Sequence, residues 1–179
     1  LNSIKFSFIL LSMKFRNTFF TKKQLVFFIV IILLNSLFAI ERIVSLSPAP
    51  FIVKGVMTVK GAMKAKEAGA AAIVVSNHGG RVLDGTPSTA EVLPEIVKAV
   101  NGEMKIIVDG GIRTGLDIFK ALAMGADAVI IARPYVTAVY GGAQEGIKAY
   151  TDKLRAELAD VMSMCGAKTI ADINSDMLF

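Results

Sequence analysis

The sequence predicts an α/β fold of four strand–helix units laid on a parallel sheet. Three observations carry that reading. Short apolar runs recur at Phe51 to Val56, Ala70 to Val75, Lys105 to Val108 and Ala128 to Ile131, and each is followed by a helical pattern. None of the runs alternates polar with apolar residues, which suits strands buried on both faces of a parallel sheet. Finally, Lys54, His78, Asp109 and Arg133 fall at or just past the carboxyl ends of the four runs. In a parallel sheet those ends share one face, where barrels and open α/β sheets alike build their ligand sites.

Ahead of the first unit, residues 1 to 40 form a different composition. They contain no Gly, Pro, Asp or Glu and hold eight of the eleven Phe, whereas all fifteen Gly fall at or after Gly55. The two compositions meet near Pro48-Ala49-Pro50, which divides the chain into a segment 1–48 and a domain 49–179. Lys22-Lys23 precede an apolar run from Leu25 to Leu34 that continues to Ile40. Three readings fit this segment: arbitrary translation of AT-rich DNA or a gene remnant, a membrane anchor through residues 25–40, and a cleaved export signal. The domain 49–179 is expected in the cytoplasm.

The first helix is capped by Thr58 and stops at Gly69, and Ser88-Thr89-Ala90-Glu91 forms a capping box for the second. Val92, Leu93, Ile96, Val97 and Val100 make the apolar stripe of that second helix. Thr114 and Asp117 repeat the box at the third, with Ile118, Phe119 and Leu122 as its buried face. A longer helix, roughly Gln144 to Cys165, carries Ile147, Tyr150, Leu154, Leu158 and Val161 and ends at Gly166.

Charge excludes one class of partner. The net charge of +5 and the isoelectric point of about 9.4 come from five uncompensated cations before residue 41, since the other fifteen basic residues match the fifteen acidic ones. The glycine-bearing part is therefore neutral and shows no basic, aromatic-interleaved stripe for nucleic acid. One cysteine, Cys165, rules out an internal disulfide and a multi-cysteine metal site, and no metal is expected.

The chemistry concentrates in Ser76-Asn77-His78-Gly79-Gly80-Arg81, which holds the only histidine of the chain. A lone histidine is more often structural than catalytic. Here, however, it ends a strand beside two glycines that admit close backbone approach and an arginine able to grip a carboxylate or phosphate. Asp109-Gly110-Gly111-Ile112-Arg113 lies between a strand and a capped helix, so its amides and the helix N-terminus can face an anion. A tight turn would need the same glycine pair. Ala132-Arg133-Pro134 brings a second arginine to the neighbouring strand end.

Taken together and in this order, Ser76-Asn77-His78-Gly79-Gly80-Arg81-x-Leu83-Asp84, Asp109-Gly110-Gly111-Ile112-Arg113 and Ala132-Arg133-Pro134 resemble the FMN-dependent α-hydroxy-acid oxidases and dehydrogenases, over roughly Phe51 to Met177. The resemblance implies the C-terminal half of a (β/α)8 TIM barrel, the cofactor FMN and oxidation of a small (S)-2-hydroxy acid of the lactate or glycolate type to the 2-oxo acid. It implies that His78 is the base and Arg81 the holder of the substrate carboxylate. Lys54 and Ser76 would contact the flavin, and Asp109, Gly110, Gly111, Ile112, Arg113, Ala132 and Arg133 would form the ribityl and phosphate site.

Two departures from the family pattern stand out. Ala132 replaces the usual glycine before the arginine, and only four of eight units are recognisable, so the family's aspartate partner of the histidine has no counterpart. Two alternative functions remain at this level: a non-enzymatic remnant, and another phosphate-binding flavin barrel such as a type 2 isopentenyl diphosphate isomerase. The His-Gly-Gly-Arg spacing favours the hydroxy-acid family over the latter. Four units leave two strand edges unpaired, which two copies could close as a homo-oligomer. Expressed alone, the chain is expected to be poorly soluble or to aggregate; a monodisperse, cooperatively unfolding monomer contradicts this.

Overall fold

The structure of the protein, a computed structural model, describes residues 38–178. A helical stretch at 38–46 leads into four parallel strands, β1 (Ile52–Val56), β2 (Ala72–Val75), β3 (Lys105–Asp109) and β4 (Ala128–Ile130), hydrogen-bonded in the order β1-β2-β3-β4. Between and after them lie α1 (Val59–Glu67), α2 (Thr89–Val100), α3 (Gly115–Ala123) and α4 (Arg133–Cys165). No helix among the described residues is long and apolar enough to cross a membrane, so the described part of the chain lends no support to a transmembrane element. Most of the run 25–40 read as a possible anchor lies outside the described residues.

The caps form where the sequence places them. The Thr58 side chain accepts from the Gly61 amide, and both halves of the capping boxes at Ser88/Glu91 and Thr114/Asp117 are made. Each satisfies amides that a helix start leaves without an intrahelical partner. Leu93, Ile96 and Val100 of α2 are fully buried against Ile73, Val75, Ile106 and Val108 of the sheet, joined by Ala62 and Ala65 of α1. Phe119 and Ala123 of α3 pack in a second cluster with Leu158, Val161 and Met162 of α4 and with Ala167 and Ile173 beyond it.

Burial on both strand faces holds for β2, whose four residues are all buried, and fails at the rims. Ile52 in β1 is 47% exposed and Ile130 in β4 37%, because these strands are the edges of a four-stranded sheet and nothing among the described residues covers their outer sides. A second correction concerns α4. The expected helix from Gln144 is present, but it is preceded by a helical segment starting at Arg133 that the periodicity did not predict. Pro134 stands in the first turn, where its lack of an amide proton costs nothing, so it starts a helix here and does not bar one. The two segments meet at a break, with Gly142 at φ −165° and Ala143 at φ 47°.

The packing of α3 on α4 is tight at one point. A Cβ built on Gly115 would lie 2.2 Å from the Leu158 backbone nitrogen, while the Gly115 amide donates to Glu157 Oε2 at 2.8 Å. Gly115→Ala gains up to about 1 kcal/mol of helix propensity but forces backbone apart, and the second effect wins: we expect a loss of about 2 kcal/mol or more in urea unfolding. Gly141→Ala, with open space around its Cβ, is the control and should be neutral or slightly stabilising.

Acid sensitivity follows from two carboxylates. Burial pushes Asp117 up, but bonds from the Thr114 hydroxyl and the Arg113 and Thr114 amides, with Lys120 nearby, bring it below its ordinary value. Burial likewise opposes and bonds from Lys105 and the Ile106 amide outweigh it at Asp127, which ties the start of β4 to β3. Depressed folded-state values contribute stability that is complete above the unfolded carboxylate value of about 3.9 and is lost as pH falls through the folded value. The urea midpoint should therefore drop on acidification from pH 5 to pH 3, and Asp117→Asn should flatten that dependence.

Candidate functional site

All four strands point their carboxyl ends at one cleft of about 980 Å³, lined among others by Lys54, His78, Asp109, Gly111, Arg113 and Arg133. That volume lies within the ordinary range for small-molecule sites. Lys54 is placed there by a bulge: the register with β2 shifts between Lys54 and Val56, and Gly55 at φ 95° takes up the extra residue. The Lys54 ammonium donates to Ser76 Oγ at 2.8 Å and pairs with Asp109 Oδ2 at 2.9 Å, bridging β1 to the ends of β2 and β3. Ser76, 2% exposed, lies beneath the cleft wall and also accepts the His78 amide at 3.2 Å.

After β2 the chain turns through a single 3₁₀ turn, His78–Gly80, in left-handed backbone: φ is 58° at His78, 69° at Gly79 and 71° at Gly80. For a histidine this conformation is unfavourable, and strain of this kind gathers at functional sites. Asn77 holds the turn. Its Oδ1 accepts the amides of Gly79 (3.0 Å) and Gly80 (3.2 Å), and its Nδ2 donates to the Pro87 carbonyl at 3.3 Å. Gly79 also permits contact with the β4 side of the site, since a Cβ there would lie 2.9 Å from an Arg133 terminal nitrogen. Arg81 Nε donates to the His78 carbonyl at 3.3 Å, which leaves its terminal nitrogens open to the cleft.

The loop after β3 turns through Gly110 (φ 97°) and Gly111 (φ 78°) into α3. Thr89, buried at the start of α2, donates its hydroxyl to the Asp109 carbonyl at 2.7 Å and sits where a Cβ on Gly110 would intrude. One oxygen of the Asp109 carboxylate pairs with Lys54; the other, Oδ1, is buried and has no hydrogen-bond partner among the described residues. A buried acceptor left open is costly, and it is suited to a ligand hydroxyl. Ala132 has φ −113°, a region open to any L residue, so its methyl group is carried without left-handed strain, and Ile112 completes the wall beside it.

Arg113 and Arg133 flank this loop. Among the described residues neither guanidinium makes a hydrogen bond or ion pair, whereas the Arg113 carbonyl accepts the Tyr150 hydroxyl at 2.8 Å. Burial, with the Tyr135 ring alongside, raises the Tyr150 phenol above its ordinary value and keeps it a donor. Every expected site residue thus gathers at one sheet edge, with Ser76 beneath it. Asn77, Thr89 and Tyr150 were not singled out from sequence as site residues: Thr89 reads there as part of a helix cap, Tyr150 as one position on an apolar stripe, and Asn77 as a neighbour of the histidine. Five cations, Lys54, Arg81, Arg113, Arg133 and Lys153, line the cleft against one carboxylate, Asp109, with Lys153 already paired to Glu157, and an anionic, hydroxyl-bearing ligand matches that balance.

Comparison with known proteins agrees with this chemistry. The family model described as FMN-dependent dehydrogenase matches residues 33–179. A peroxisomal (S)-2-hydroxyacid oxidase of Arabidopsis thaliana is 46% identical over 134 residues, covering 75% of this chain and 37% of the relative. An L-lactate oxidase of Nostoc sp. is 47% identical over 139 residues, covering 78% and 38%. Among solved structures, mandelate oxidase with (S)-2-phenylpropionate superposes with a TM-score of 0.75 at 40% identity, covering 78% of this chain and 42% of that one. The chain thus spans about two fifths of the length of these relatives, and its four units correspond to part of a TIM barrel. On the matched residues and the level of identity, the chain belongs to the FMN-dependent dehydrogenase family.

Proposed function

We propose that this chain carries the FMN site, the general base and the carboxylate-binding arginine of an oxidoreductase that converts small (S)-2-hydroxy acids to 2-oxo acids. The observation that carries the proposal is the unpartnered Asp109 Oδ1, buried beside Lys54 in a cleft that also presents His78, Arg81, Arg113 and Arg133. The names of the relatives, 2-hydroxyacid, lactate and mandelate oxidases, support that substrate class.

The residues present fit an FMN. Asp109 Oδ1 would accept a ribityl hydroxyl, and Arg113, Arg133 and the glycine amides ahead of α3 would hold the phosphate. The chemistry a bound FMN supplies is acceptance of two electrons from the hydroxy acid. Lys54 reaches into the cleft, pinned by Ser76 and Asp109. Arg81 orients the substrate carboxylate, and an imidazole nitrogen of His78 takes a proton from the hydroxy acid. Among the described residues no carboxylate hydrogen-bonds to the His78 ring, and that supports the reading that turnover by this chain alone is impaired, the imidazolium having no counter-charge there.

The test is a titration of the full chain with FMN followed by flavin fluorescence, then anaerobic addition of lactate, glycolate or mandelate. We expect FMN uptake and bleaching of the flavin, with His78→Ala slowing the bleaching about 100-fold or more while FMN affinity is kept. Absence of FMN uptake at saturating cofactor, or equal bleaching by the His78 variant, overturns the proposal.

A further inference from the structure

Tyr150 stands 37 residues from Arg113, yet its hydroxyl donates to the Arg113 carbonyl at 2.8 Å. Its ring meets that of Tyr135 edge to face, with centroids 5.0 Å apart and planes at 77°, and the Tyr135 hydroxyl bonds Thr151 Oγ1 at 3.0 Å. Both tyrosines belong to α4. Fifteen residues of uninterrupted helix would hold them about 22 Å apart. They touch because the helix breaks at Gly142 and Ala143 and doubles back, so closely that a Cβ on Gly146 would lie 2.0 Å from the Ala138 carbonyl oxygen. Ala143 takes φ 47° and ψ −127°, a conformation that L residues rarely adopt, so the fold tolerates local strain to make this contact.

One end of the pair holds the backbone of Arg113. The other is two residues past Arg133. Both arginines are exposed to the cleft, and both begin helices or lead into them, so their spacing is set by how α4 is seated on the loop before α3. The geometry points to Tyr150, braced by Tyr135, as a positioning residue that sets the separation of the Arg113 and Arg133 guanidinium groups for the phosphate of the bound ligand. The inference rests on the FMN reading above. Neither tyrosine hydroxyl needs to touch the ligand: the bond to the Arg113 carbonyl fixes the loop, and the ring contact fixes the loop relative to the start of α4. The Asp117 bonds to the Arg113 and Thr114 amides secure the same loop from α3, which lets it fold without Tyr150 while leaving its approach to Arg133 free to drift.

The experiment compares FMN with riboflavin, which lacks the phosphate, as ligands of the full chain and of Tyr150→Phe, with affinities read from flavin fluorescence and folding from the thermal midpoint. Tyr150→Phe should weaken FMN roughly five- to tenfold, about 1 kcal/mol of binding, while riboflavin affinity stays near wild type and the thermal midpoint falls by no more than about 5 °C. Tyr135→Leu, which removes the brace, should show the same phosphate-selective loss and decides the matter if Tyr150→Phe does not fold. Unchanged FMN affinity, or an equal loss for both flavins, overturns the positioning role. If the unsubstituted chain binds FMN no better than riboflavin, the phosphate site itself is refuted and the inference falls with it, an outcome visible before any variant is made.

Discussion

The parallel pairing of β1 to β4 in chain order is the constraint on which everything else rests. It requires a helix between successive strands, and it delivers every strand's carboxyl end to the same edge. Residues dispersed over eighty positions of sequence, from Lys54 to Arg133, become neighbours for that reason alone. Continuous apolar strands and capped helices are what a chain needs to form such a sheet, and they occupy most of the sequence from residue 51 onward. What remains after that requirement is met, the residues just past the strand ends, is free to carry chemistry.

Within that frame the site is held by polar bonds between different units. Lys54 ties β1 to Ser76 and to Asp109, Thr89 of α2 fixes the Asp109 carbonyl, and Tyr150 of α4 fixes the Arg113 carbonyl. Each bond crosses from one strand–helix unit to another, and together they hold the left-handed stretches at Gly55, His78–Gly80 and Gly110–Gly111 in a defined relation. The ion pair of Lys54 and Asp109 has a double character. It neutralises the lone carboxylate of the cleft on one oxygen and leaves the other buried without a donor, a state of incomplete satisfaction that a ligand relieves.

The exposed edges of the sheet complete the description. β1 and β4 present apolar side chains and unpaired backbone, the pattern that full closure of a barrel removes. The stretch matched here covers about two fifths of the length of these relatives. The cleft is lined by these four units, and His78 faces it without a carboxylate partner among the described residues.

Local sequence determined the strands, the helix caps and the composition of the site. Apolar runs, Ser88/Glu91, Thr114/Asp117 and the glycines beside His78 and Asp109 act over a few residues, so their signals are legible without a fold. The sequence motifs also assigned the family, because their order and spacing are read along the chain. Tertiary structure alone decided which of the expected buried strands became edges, and it decided the helix that begins at Arg133, where Pro134 fits a first turn and the helix breaks at Gly142 and Ala143. It also decided the roles of Asn77, Thr89 and Tyr150 and the open oxygen of Asp109. Those roles depend on contacts between residues far apart in sequence, as Tyr150 is from Arg113 and Lys54 from Asp109, and no periodicity or cap encodes such a distance; only the geometry of sheet and helices sets it.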